Sequence, residues 1–247
     1  MGEEMHTDAH CHAHEMSVSE LELYAGQFEL IVAVSDDVPS SRRTLDLASQ
    51  LSFIHPCIGI HPWSIGELED LERCVRELEL MIVKEGVRCL GEIGLDRAFV
   101  PETLKAQLKL FREMLSLARE YDLAVNLHAA KAWRLVLDEV VSHGIERAVF
   151  HWFTGPKDVM SEIAARGYLI SINPTVAISA RHMAIARAAP LHALVFESDG
   201  PYRYRGLMLN PSLIPKTVDL VAREKGVSTR ELVEAARRNL YRLLLKE

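Results

Sequence analysis

Eight short runs of β-branched and apolar residues alternate with longer segments of helical period. That alternation restricts the folds open to this chain more than any other feature. The runs cover residues 5–12, 30–35, 53–60, 88–93, 124–128, 148–152, 168–173 and 194–198. Between them the spacing predicts helices near 18–27, 40–51, 67–85, 102–121, 132–143, 156–166, 179–188 and 211–226, with a last helix over 229–245. Strands separated by helices pair in parallel through right-handed crossovers. Eight such units in 247 residues match an α/β fold, the (β/α)8 TIM barrel, whose active site lies at the C-terminal ends of the strands. An open doubly wound sheet is the competitor, but no Gly-rich phosphate loop follows the first run. No linker, low-complexity stretch or close repeat divides the sequence, so residues 1–247 read as a single domain.

Local punctuation agrees with this frame. Ser17-Val-Ser-Glu20 and Ser228-Thr-Arg-Glu231 read as capping boxes. Pro101 and Pro156 stand where a first-turn proline is tolerated. Gly86, Gly144, Gly167 and Gly226 each follow a periodic segment, as helix C-terminal glycines do.

The formal charge of −7, from 28 basic and 35 acidic side chains, gives little non-specific attraction to a polyanion. A nucleic-acid substrate would need metal ions and a local basic patch. No apolar run approaches the roughly 20 residues that cross a bilayer. The N-terminal Met-Gly-Glu-Glu is acidic where a signal peptide is basic and then apolar, so a cytoplasmic location is expected. Cys11, Cys57, Cys74 and Cys89 show no CxxC spacing and are expected to be free, small and apolar.

The chemistry collects at the strand ends. Run one ends in Asp8-Ala-His10-Cys-His12, and run three leads into Gly59-Ile-His61-Pro62. Run four ends in Gly91-Glu92-Ile-Gly94-Leu-Asp96, runs five and six in His128 and His151, run seven in Asn173, and run eight in Glu197-Ser-Asp199-Gly200. Residues i and i+2 of a strand point the same way, so His10 and His12 can reach one ion with nitrogen donors suited to transition metals. A carboxylate ending a buried strand, as Glu92 and Asp199 do, is costly unless paired or metal-bound. His6 and His14 read as start-of-strand and loop residues, and His55, His143, His182 and His192 end no strand.

With these residues in hand, the sequence resembles the TatD family of metal-dependent deoxyribonucleases, within the amidohydrolase superfamily. The matching stretches are Asp8-Ala-His-Cys-His12, Gly59-Ile-His-Pro62, Gly91-Glu-Ile-Gly-Leu-Asp96, Val125-Asn-Leu-His128, Phe150-His-Trp-Phe-Thr-Gly155, Glu197-Ser-Asp-Gly-Pro-Tyr202 and Asn239-Leu-Tyr-Arg-Leu243. The resemblance implies one or two divalent ions (Zn, Mn or Mg). His10, His12 and Asp199 would hold one, His128 and His151 a second, with Glu92 bridging. It also implies Asp199 as general base and His61 facing the substrate, DNA or a nucleotide. The family usually follows its strand-five histidine with Arg-Asp, where this chain has Ala129-Ala130-Lys131. Its Arg-Asn-Glu-Pro segment stands here as Leu209-Asn210-Pro211. Lys131, Arg203 and Arg205 are the candidates to replace the missing cation.

Hydrolysis of a phosphodiester is the leading reading. A metal-dependent amide, lactone or ester hydrolase is the second, favoured by the acidic charge and the lost arginine. A non-catalytic metal-binding protein is the third. It is disfavoured because a structural site fills its coordination shell with protein ligands.

Overall fold

The computed structural model describes residues 5–68 and 70–245, so the acidic start at 1–4 lies outside the described residues. Eight parallel strands follow one another: β1 (His6–Cys11), β2 (Phe28–Ala33), β3 (Ile54–Pro56), β4 (Cys89–Gly94), β5 (Ala124–His128), β6 (Ala148–Phe150), β7 (Leu169–Ile172) and β8 (Leu194–Phe196). Strands β1–β3 form one hydrogen-bonded sheet and β4–β8 another, each in chain order. Two seams join them. Ile58 bridges to Leu90 beside β3 and β4, and the Asp199 N–H donates to the His10 carbonyl at 2.9 Å beyond β8 and β1. The order thus returns to its start, as in the expected (β/α)8 barrel.

Helices α1 (Val18–Glu22), α2 (Val38–Gln50), α3 (Leu71–Glu85), α4 (Leu104–Glu120), α5 (Trp133–Ser142), α6 (Lys157–Ala165), α7 (Ala180–Ala188) and α8 (Ile214–Lys225) link or follow the strands, and α9 (Thr229–Leu244) closes the chain. Ser17 caps α1 in a reciprocal box with Glu20. Gly86 and Gly226 end α3 and α8 in the left-handed conformation. None of the described helices is long and apolar enough to cross a membrane.

Three local expectations change. The helix predicted over 18–27 stops at Glu22, because the chain turns through Gly26 at a φ of 82°. The helix predicted from 67 starts at Leu71, where the Asp70 side chain accepts from the Arg73 N–H. The unpredicted hairpin β9 (Tyr202–Tyr204) and β10 (Leu207–Leu209) turns at Arg205 and Gly206, both at positive φ (47° and 86°). Two such residues match a tight hairpin turn, but Arg-Gly is a weaker signal for it than Asn-Gly.

The inward strand faces are layered. Val32, Val34, Cys57, Ala124, Val149, Leu169 and Val195 form an apolar cluster with Leu240, Leu243 and Leu244 of α9. Two residues further along the same faces stand Asn126, His151, Ser171 and Glu197. One end of the interior is therefore dry and plugged by α9, and the other is polar. Cys57 and Cys89 belong to the dry layer and are disulfide-bonded, contrary to the expectation that all four cysteines are free; only Cys11 and Cys74 are free. Spacing along the chain could not show this, because the pair meets only when β3 and β4 lie side by side, 4.5 Å apart at Cα.

Close approach of β4 and β5 depends on glycine. Gly91 leaves no room for a Cβ, which would stand 2.6 Å from the Asn126 Cβ; at Gly94, φ 147°, a Cβ would overlap the His128 carbonyl. Gly94→Ala is expected to destabilise the fold by about 3 kcal/mol or more in urea unfolding; a loss within the error of the method would show that β4 has room to move.

His55 on β3 gives a pH test. Burial, and then the nearby Arg88 charge, lower its pKa to about 4, while an unfolded histidine titrates near 6.5. Between those values the unfolded chain takes up a proton that the folded chain refuses. Stability should therefore fall as pH drops from about 6.5 towards 4, by on the order of 1–3 kcal/mol. His55→Gln should flatten the unfolding midpoint in that window, and an unchanged slope would assign the loss to other groups.

Candidate metal centre

All six residues expected as ligands meet at the polar end of the strands, around the Glu92 carboxylate. Glu92 is 1% exposed, and no lysine or arginine pairs with it among the described residues. Its two oxygens serve different neighbours. Oε2 lies 3.2 Å from His10 Nε2 and 3.4 Å from His12 Nε2. Oε1 lies 2.6 Å from His128 Nδ1 and 2.8 Å from His151 Nε2. Asp199 joins the first group, with Oδ1 at 3.4 Å from His10 Nε2 and 3.6 Å from His12 Nε2. Donors bound to one ion at ~2.1 Å stand roughly 3.0–3.4 Å from one another, the range of three of the four separations around His10 and His12.

Outer hydrogen bonds decide which nitrogen of His10 and of His128 faces inward, and carboxylates stand near the outer nitrogens of His12 and His151. Asn126 donates its amide to the Ala9 carbonyl (2.8 Å), which turns its Oδ1 toward His10 Nδ1 at 2.8 Å. His10 Nδ1 therefore carries a proton and Nε2 a lone pair. Asp96 accepts from Trp63 Nε1 (2.6 Å) and from the Ala98 and Phe99 N–H groups, so its carboxylate accepts from His128 Nε2 as well (3.0 Å). That leaves the His128 Nδ1 lone pair facing Glu92. Asp36 stands 3.3 Å from His12 Nδ1, with His14 Nε2 on its other oxygen at 3.2 Å. Glu197 lies 3.8 Å from His151 Nδ1 and is fixed by the Trp152 N–H, Ser171 and Asn173. These partners orient the rings and raise their basicity as outer partners of metal ligands do.

Lone pairs aimed at a buried carboxylate repel it unless positive charge lies between. Either protons or metal ions meet that demand. Burial opposes ionisation of Glu92, but His151, His61 and His10 together hold its pKa well below the ordinary value. Burial likewise opposes charge on His12, yet Asp199, Asp36 and Glu92 hold it well above the ordinary histidine value. A set of four imidazoles and two carboxylates is a donor set suited to divalent transition ions, and the residues present fit such ions.

His61 differs from the other rings. Its Nδ1 accepts from the Trp63 N–H at 3.2 Å, so the neutral ring carries its proton on Nε2, 3.3 Å from Glu92 Oε1. Its donor edge faces the Glu92 carboxylate and His128. Lys131 is exposed at the mouth beyond β5 with φ 53°, and Arg203 and Arg205 are exposed on the β9–β10 hairpin. Asp36, Asp96, Asn126 and Glu197 were not expected in the site, and His14 joins it although it read as a loop residue. A signal existed for three of them: Asn126 and Glu197 stand two residues before His128 and Asp199, and Asp96 four after Glu92. No pattern marked Asp36.

Comparison with known proteins identifies the family. The model of the family described as TatD related DNase matches residues 7–245, and the chain belongs to that family. It is 27% identical to the human deoxyribonuclease TATDN3 over 87% of this chain and 84% of that protein. It is also 27% identical to the uncharacterized metal-dependent hydrolase YcfH of Escherichia coli K12, over 96% and 94%. The crystal structure of YJJV, a TatD homolog from E. coli K12, superposes with a TM-score of 0.87 at 24% identity, covering 97% of both chains.

Removing an outer partner should loosen metal without unfolding the protein. Asn126→Ala frees the His10 ring, and divalent-ion affinity by calorimetry is expected to fall about 10–100-fold. Unchanged affinity would mean that Asn126 does not orient His10.

Proposed function

We propose that this member of the TatD family is a metal-dependent hydrolase that cleaves phosphodiester bonds in DNA or nucleotides, working as one barrel unit over residues 1–247. The observation that carries the reading is the division of the Glu92 carboxylate between two donor groups. His10, His12 and Asp199 would hold one divalent ion, and His128 and His151 a second, with Glu92 between them. Such ions lower the pKa of bound water from 15.7 toward about 7 and polarise the scissile group. The imidazole donors suit zinc or manganese, and the DNA-directed relatives suggest magnesium or manganese.

The remaining steps belong to the chain's own side chains. Asp199 lies at the end of the polar face, 5% exposed, held at φ 53° by its backbone bond to His10. It would accept the proton of the attacking water and return it to the leaving oxygen. His61 would donate its Nε2–H to a non-bridging phosphate oxygen. The buried walls, with Asp96, Glu197 and Asn126 fixed by hydrogen bonds, hold this geometry without rearrangement. Ala129-Ala130 in place of the family's charged pair favours a second reading, an ester or lactone hydrolase on the same centre.

The deciding assay takes metal-stripped protein reconstituted with manganese, magnesium or zinc, and offers it end-labelled single-stranded DNA, a generic phosphodiester and an ester. Shortening of the DNA is expected. Asp199→Asn should lower the rate about 10²–10⁴-fold while leaving the circular dichroism unchanged. Turnover of the ester alone would move the protein to the second reading. Glu92→Ala should reduce bound metal below the wild-type content, and an undiminished content of two ions would remove Glu92 as a bridge.

A further inference from the structure

At the mouth of the barrel, beside the candidate ions, four rings gather from three separate segments. Trp152 follows His151 at the end of β6. Tyr202 and Tyr204 flank Arg203 on β9, which starts three residues after Asp199, and His182 lies in the first turns of α7. Tyr204, Tyr202 and His182 stand nearly perpendicular to the Trp152 ring, with centroids at 5.1, 6.1 and 6.1 Å. The Arg205 guanidinium lies 5.3 Å over the Tyr204 ring. Tyr202 is 39% exposed, while Trp152 and Tyr204 are half-buried.

The cluster is held in place by the same groups that order the centre. The Trp152 N–H donates to Glu197 Oε1 (2.8 Å) and Ser171 Oγ (3.0 Å), which fixes Trp152 at φ 40°. A non-glycine residue in that region persists only where its surroundings impose it. His182 Nδ1 is bonded to the Thr175 hydroxyl at 2.5 Å. Neither the Trp152 indole N–H nor the Tyr202 and Tyr204 hydroxyls has a protein partner among the described residues.

Among the described residues, the arginines beside the rings are not engaged by carboxylates, as many on the outer helices are. On the outer helices Arg42, Arg73, Arg112, Arg134, Arg166 and Arg187 all pair with carboxylates. Arg181, Arg203 and Arg205, beside the aromatic cluster, have no carboxylate partner among the described residues. In a chain of net charge −7, this is a local cationic rim on an aromatic floor. That pairing matches a ligand with flat π-faces and an anionic backbone. In a duplex the base faces are stacked on one another and cannot reach such a floor.

We propose that Trp152, Tyr202, Tyr204 and His182 form a stacking platform for one unpaired nucleobase of the substrate strand, with Arg181, Arg203 and Arg205 bordering the adjoining phosphates. The proposal rests on the phosphodiesterase reading above and names the side chains that hold a base of its strand. It also accounts for how a chain lacking the family's arginine after β5 holds its substrate: contact with the base takes the place of a charge on the phosphate.

The test measures binding as well as turnover. The probe is a fluorescently labelled, phosphorothioate-linked deoxytrinucleotide, alongside the same molecule with one base replaced at each position in turn by an abasic tetrahydrofuran residue. Anisotropy titrations use manganese-loaded wild type, Tyr204→Ala, Trp152→Ala and Trp152→Phe, with metal content and melting temperature confirming that each variant is intact. The wild type is expected to bind the full trinucleotide about 5–150-fold more tightly than one of the abasic forms. Tyr204→Ala and Trp152→Ala should lose most of that difference, while Trp152→Phe keeps it. Tyr204 lies on an exposed hairpin, so its variant remains decisive if Trp152→Ala disturbs His151. Equal loss of affinity for the base-bearing and abasic probes, or no loss for either, would overturn the platform while wild-type cleavage of DNA preserves the phosphodiesterase reading. A wild type that neither binds nor cleaves any oligonucleotide would overturn both.

Discussion

A carboxylate at the floor of a protein cavity, with no lysine or arginine beside it, has to be neutralised by something. Glu92 is in that position, and its surroundings give the site its form. Five imidazole nitrogens lie within 3.4 Å of its two oxygens. Breaking a compensated buried charge of this kind by removing one side costs several kcal/mol, so the rings and the carboxylate stand or fall together. The split between Oε1 and Oε2 separates the donors into two groups. Ring rotation would merge them; Asn126 and Asp96 prevent it for His10 and His128 by bonding the opposite nitrogens, and Asp36 and Glu197 face those of His12 and His151. Fold and site therefore meet in these outer partners, which are themselves strand-end residues on the inward faces.

The barrel supplies what this arrangement needs. Inward faces of β5 and β6 carry Ala124, Asn126 and His128, and Val149 and His151, so one step of two residues leads from dry packing to an orienting or binding group. The apolar layer sealed by Leu240, Leu243 and Leu244 keeps water from the rear of the site. The low polarity behind the donors strengthens each electrostatic contact in front of them. Asp8 shows the cost of this environment: burial, only partly offset by hydrogen bonds from the Ser198 and His10 N–H groups, raises its pKa to about 7.

Much of this was legible in the residues. Parallel strand order, the inward-facing pair His10 and His12, and the convergence of Glu92, His128, His151 and Asp199 all follow from period and from position at strand ends. What stayed hidden depends on contacts between strands. Cys57 and Cys89 are 32 positions apart and share no motif, so only the seam where Ile58 bridges to Leu90 joins them. Asp36 lies three residues beyond β2 in an unremarkable Ser-Asp-Asp stretch, and its value lies in standing between His12 and His14. Trp152, Tyr204 and His182 looked like unrelated residues because they come from three loops. The hairpin that carries Tyr204 turns on Arg-Gly, a pair with little turn signal of its own.

The mouth resolves an apparent conflict between charge and substrate. A net charge of −7 repels a polyanion at long range, yet beyond a Debye length of about 8 Å at physiological salt that field is screened. On the proposed reading, what would act at the site is local: ions held by the carboxylates and imidazoles, arginines without carboxylate partners on the rim, and ring faces that attract a base with little dependence on charge. A protein built this way gives up fast electrostatic capture and non-specific adhesion to duplex DNA, both of which need an extended basic surface. It keeps selectivity for a strand whose base can leave the stack. The loss of the arginine after β5 and the gathering of aromatic rings after β6 and β8 then describe one change, from recognition of phosphate charge toward recognition of an exposed base.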